Sequence, residues 1–275
     1  MTGNDWKTDG LNNAQAEPDD GCVKTGVTIF TLQVVAMASM LCDHMGYSIF
    51  GNPLWMRCVG RFAFPLYAFM LAEGFRHMKN DRERLLKHLG GLTVLALVSE
   101  LPYDLMECSE YTVENFFSTQ NAVITLLLAF LGLMAIETWK DKPLYRWSAI
   151  ALTALANYFS ASNYKLVGVL LVYAFYRYLE KNLDKAYFIR LASILGIFIV
   201  YIPLYHLARK GFALAAFSFN DWCWYGTHIL VAWLLAGYLG KLGYRNQTFK
   251  TAYRLFYPAH MVFVCILKFL VMLAA

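Results

Sequence analysis

The sequence predicts an all-α integral membrane bundle of about nine transmembrane helices (roughly eight to ten). Two observations lead there. Of the 275 residues, 59% are apolar and only 16% charged, against roughly 25% charged in soluble domains; too few charges remain to coat a surface facing water. The apolar residues also fall into runs long enough to cross a hydrocarbon core, which takes about 20 residues. Other classes fail on the same composition. Six cysteines, several inside apolar runs, do not make a secreted disulfide scaffold. A chain that is 16% aromatic is not disordered.

In chain order the candidate spans are roughly 26–50, 55–75, 89–106, 117–136, 144–160, 164–179, 187–207, 222–240 and 255–274. No alternating β-barrel period is present, so helices are the spanning element. The stretch 211–219 is apolar but too short to cross, and reads as an interfacial or re-entrant piece. Residues 1–25 are polar and acidic without a signal-peptide pattern, and read as a flexible tail. Residues 26–275 read as a single membrane domain, with no linker or internal repeat.

The basic residues orient the bundle. With the N-terminus cytoplasmic and the C-terminus outside, the cytoplasmic loops hold Arg76, Lys79, Arg82, Arg84 and Lys87, then Lys140, Lys142 and Arg146. Arg177, Lys181, Lys185 and Arg190 follow, then Lys241, Arg245, Lys250 and Arg254. The opposite side takes the acidic Glu107, Glu110 and Glu114, together with Lys165, Arg209 and Lys210. This topology accounts for the basic residues, so no nucleic-acid partner is expected.

An ionisable side chain inside a bilayer is costly unless paired or hydrated, so each one is a functional candidate. Asp43 and His44 close the first span, and Arg57 and Arg61 open the second with the four-residue spacing of one helical face. Glu73 ends that span at the inner side, and Glu100 and Asp104 flank Pro102 in the third. Gln120 and Asn121 open the fourth, and His260 follows Phe256, Tyr257 and Pro258 in the last. The carboxylates Asp43, Glu100 and Asp104 can offset Arg57 and Arg61. An imidazole beside an aspartate suits a general base, although the same charges can serve simply to pin helices together. No phosphate-binding loop, nucleophile elbow, zinc-protease motif or Cys-x-x-Cys pair is present, and no metal is expected.

Several runs resemble the TraX family: Asp43-His44-Met45-Gly46, then Arg57-Cys58-Val59-Gly60-Arg61 through Phe69, and Glu73 through His77. Ser99 through Asp104, Gln120-Asn121-Ala122, Gly168 through Leu171 and Phe256 through His260 continue the likeness in order across about residues 26–270. Where the family pattern has an acidic residue before Tyr164 and a glycine after it, this chain has Asn163 and Lys165. The family is named for a protein that acetylates the N-terminus of conjugative pilin.

The resemblance implies an acyltransferase of the bacterial inner membrane. It would move acetyl from cytoplasmic acetyl-CoA, as co-substrate, to an amine or hydroxyl acceptor at or beyond the membrane. That acceptor is left open among peptide, glycan and small molecule, as is self-association. His44, oriented by Asp43, is the expected general base, with Arg57, Arg61, Gln120 or Asn121 stabilising the oxyanion. His260, Tyr257, Arg76, Lys241 and Arg254 are the expected CoA contacts, and Glu73, Glu100 and Asp104 the supporting network. The alternative is a proton-coupled small-molecule transporter that uses the buried carboxylates and histidines.

Overall fold

The structure, a computed structural model, describes residues 26–107, 119–162, 164–210, 218–244 and 246–274. The expected tail, the acidic residues Glu110 and Glu114, Asn163, most of the 211–219 stretch and Arg245 lie outside these residues. The described chain is all helical: α1 Ile29–Ser48, α2 Leu54–Gly60, α3 Ala63–Met78, α4 Arg82–Glu107, α5 Ala122–Thr138, α6 Pro143–Phe159, α7 Lys165–Asn182, α8 Tyr187–Lys210, α9 Phe219–Ala236 and α10 Gln247–Ala274. Four of them, α1, α4, α8 and α10, are long and apolar enough to cross a membrane. Large apolar side chains such as Leu97, Phe159 and Phe188 are 72–79% exposed on the outside of the bundle. Such a surface fits lipid, not water, and the protein is a membrane protein.

Each expected segment is helical, with two informative differences. The second is split into α2 and α3. Its last turn tightens, with Arg61 and Phe62 donating to the carbonyls three residues back, and the helix restarts so that Pro65 falls in the first turn of α3. A proline there gives up no ladder bond, whereas in one unbroken helix it would. The last helix starts at Gln247 instead of near 255. An apolar window finds only the part of a helix that faces lipid, and the polar turns before it were invisible to that test.

Local signals fix other ends. Thr28 accepts from the Thr31 N–H, Asn121 from the Val123 N–H, and Ser218 and Asp221 form a reciprocal capping box at α9. Central to the bundle is α3, which packs on α1, α5 and α7. Its Phe69 meets Phe175 and Tyr238 edge-on, and its Phe75 meets Phe130 and Tyr176 in the same way, all with ring centroids 5.4–5.5 Å apart.

The two ends of the bundle differ. At one end the buried Glu73 (2% exposed) accepts from Arg76 through two nitrogens at 2.8 and 2.9 Å, from the Tyr238 hydroxyl at 2.8 Å and from His77 at 3.1 Å. Arg190 reaches the carbonyl of the same Tyr238 at 2.6 Å. Lys79 joins in by donating to Tyr176 and Glu180, and Tyr176 donates to Glu137. These bonds clasp α3, α5, α7, α8 and the end of α9. Removing the carboxylate would strand the Arg76 charge and the Tyr238 hydroxyl. Glu73→Ala is therefore expected to cost about 3 kcal/mol, read as earlier unfolding in a denaturing-detergent titration.

Candidate functional site

The other end gathers most of the polar residues singled out in the sequence. His44 lies about 22 Å along α1 from its first residue, and His260 about 20 Å along α10. The starts of the two helices are tied together, since Ile29 and Phe30 donate to the carbonyls of Lys241 and Leu242 just before α10. The helices therefore run parallel, and the two imidazoles meet at one depth, rings stacked with centroids 5.0 Å apart. His44 Nδ1 and His260 Nε2 are 2.8 Å apart, and His260 Nδ1 is 2.8 Å from the Phe256 carbonyl. Pro258 removes one rung of the α10 ladder two residues before His260.

The proton positions follow from these bonds. A carbonyl only accepts, so His260 Nδ1 carries a hydrogen and donates to Phe256. In the neutral ring Nε2 is then bare and accepts from His44 Nδ1. His44 is left with a lone pair on its own Nε2, the form a general base requires. His260, expected among the CoA contacts, is thus a partner of His44. The reason is its depth, set two turns deeper by the early start of α10.

Asp43 does not orient His44 as expected. Consecutive helical residues point about 100° apart, and Asp43 faces α2, where Arg57 Nη1 donates to its Oδ1 at 2.8 Å. Both side chains are less than one-fifth exposed. Arg57 Nε is buried and has no acceptor among the described residues, which leaves one donor available. The close approach depends on Gly60, because a Cβ at that position would overlap the Asp43 carboxylate, and a Cβ at Gly46 would likewise crowd Met56, 2.7 Å from its Cβ. Gly60→Ala is expected to cost about 1–3 kcal/mol by pushing the pair apart, seen as a lower unfolding temperature.

Asn121 is fully committed and so is corrected as an oxyanion donor. Its amide nitrogen donates to the Ala96 carbonyl at 2.9 Å and to Glu100, and its oxygen caps α5. Glu100 serves as its anchor, Asp104 is buried on α4 nearby, and Gln120 pairs with the Ser162 backbone region. Tyr257 packs edge-on to His260 at 5.6 Å. Arg61 diverges from Arg57 because it sits where α2 ends, and it enters a separate aromatic pocket lined by Phe64, Tyr164, Tyr201, Tyr205 and Trp224. Arg76 and Lys241 lie at the opposite end of the bundle, and Arg254 is exposed in the second turn of α10. Arg76 is already engaged by Glu73.

Sequence reasoning passed over a buried chain in which Thr125 donates to Ser162, and Ser162 to Asn157, whose amide reaches the Lys165 carbonyl. Asn157 and Thr125 inside apolar runs were the available signal. Lys165 takes φ +43°, a left-handed conformation that favours glycine, at the position where the resembled pattern has glycine. Its Nζ donates to the Ala208 carbonyl at 2.7 Å and ties α7 to the end of α8.

A model of the TraX protein family matches residues 29–268. The probable fimbrial assembly protein FimC, serogroup H1, of Dichelobacter nodosus is 29% identical to this chain over 253 residues, which cover 87% of this chain and 95% of that protein. No solved structure matches.

Proposed function

The chain belongs to the TraX family, and from that membership and the histidine pair we propose that it is a membrane-embedded acyltransferase using acetyl-CoA. The observation that carries the reading is the ordered chain from the Phe256 carbonyl through His260 to His44, which leaves a basic nitrogen near the C-terminal end of α1. His44 Nε2 takes the proton from an acceptor amine or hydroxyl as that group attacks the thioester carbonyl. A C–N or C–O bond forms, and Arg57 Nε donates to the tetrahedral oxyanion while Asp43 holds the guanidinium. The C–S bond then breaks, and His44 returns the proton to the departing CoA sulfur. A donor so placed is commonly worth about 3 kcal/mol in the transition state.

In this reading α2 and α3 together form the second of nine spans, the Glu73 end faces the cytoplasm, the C-terminus lies outside and the membrane is the bacterial inner membrane. The basic residues Lys241, Lys250 and Arg254 then surround the side from which an anionic CoA would arrive. The relative named for fimbrial assembly makes a pilus subunit the first acceptor to try.

The test is purified protein supplied with labelled acetyl-CoA and a membrane extract, with CoA release and labelled product measured together. Arg57→Lys retains the charge but loses the planar fork that lets one nitrogen hold Asp43 while Nε faces the site. Its turnover is expected to fall about 10²-fold with little change in stability; turnover equal to wild type would remove Arg57 from the site.

A further inference from the structure

Beside the histidine pair, the aromatic pocket has Arg61 in its lining, and a second arginine, Arg209, shares the Trp224 ring with it. The guanidinium of Arg61, in the pocket lining, and that of Arg209, exposed at the end of α8, each lie 4.8 Å from the Trp224 ring. Neither forms an ion pair among the described residues. Of the carboxylates on neighbouring elements, Asp43 is hydrogen-bonded by Arg57, and Asp221 accepts from the Ser218 N–H and hydroxyl.

Stacking on an indole satisfies the flat face of a guanidinium and leaves its edge N–H groups to find acceptors. Here Arg61 Nε and Trp224 Nε1 are both buried donors without one among the described residues. Two like charges on one ring repel each other, and an anion beside them relieves that repulsion. Four of the other walls, Phe64, Tyr164, Tyr205 and Tyr201, stack in that order against one another.

We infer that this pocket binds an anionic group, a carboxylate or a phosphate, that accepts from Arg61 Nε and Trp224 Nε1, and that this group is the acidic end of the acceptor. The anion site stands on the pocket alone; only its assignment to the acceptor rests on the acyl-transfer reading.

The experiment measures binding instead of turnover. Protein in an uncharged detergent is unfolded thermally against sodium phosphate and sodium acetate, with chloride as the constant-ionic-strength control. A parallel arm compares discs of phosphatidylglycerol with discs of phosphatidylcholine. Phosphate or acetate is expected to raise the unfolding temperature saturably, as a ligand of the folded state must. Arg209→Gln and Trp224→Phe, which keeps the ring but loses the N–H, are each expected to weaken the apparent affinity about tenfold. Lys142→Gln, on a distant loop, should leave it unchanged. Stabilisation by phosphatidylglycerol alone, lost in the two pocket variants, gives the anion to a lipid headgroup and overturns the acceptor assignment. No saturable effect in either arm, or one equal in wild type and pocket variants, overturns the site. Absence of acetyl transfer by the wild type would sink the acyl-transfer reading and leave the binding result intact.

Discussion

His44→Ala is expected to lower acetyl transfer about 10²–10⁴-fold, the usual contribution of a positioned general base. Expression and unfolding temperature should stay close to wild type, because among the described residues His44 makes one side-chain hydrogen bond and lies outside the Glu73 clasp. His44→Gln sharpens the experiment: it keeps much of the shape and a hydrogen-bonding group near His260 but cannot cycle a proton at neutral pH. If either variant turned over at the wild-type rate, His44 would not be the base.

His260→Ala is expected to cost about 10²-fold, through orientation alone. Without its partner, the His44 ring is free to flip between tautomers, and only one of them presents Nε2 to an acceptor. His260→Gln offers a carbonyl oxygen that can accept from His44 Nδ1, so part of the lost rate should return. That rescue, together with an unchanged KM for acetyl-CoA, separates a positioning residue from a CoA contact. A rise in KM with kcat intact would restore His260 to the CoA-binding role that its sequence position first suggested.

The helices were legible because lipid imposes long apolar runs, and every expected segment is helical. Helix ends were not, since the turns from Gln247 to Arg254 carry polar residues that extend α10 beyond its apolar part. That one boundary displaced His260 by about 12 Å along the helix and hid its partnership with His44, a contact between residues 216 positions apart. Sequence adjacency misled in the opposite direction. Asp43 precedes His44, yet helical geometry turns it towards Arg57, and Gly60 is what lets the two approach. Arg57 and Arg61 share a spacing that puts them on one face only while the helix continues, and α2 ends at Gly60. The committed amide of Asn121 and the indole shared by Arg61 and Arg209 are tertiary facts with no periodic signature.

The most direct measurement of the central claim is transfer of labelled acetyl from acetyl-CoA by the purified protein in lipid discs, incubated with a membrane extract. The account predicts stoichiometric release of CoA and one labelled amine or hydroxyl product, with both lost in His44→Ala. No CoA release from a well-folded wild type, or equal release by His44→Ala, would contradict it.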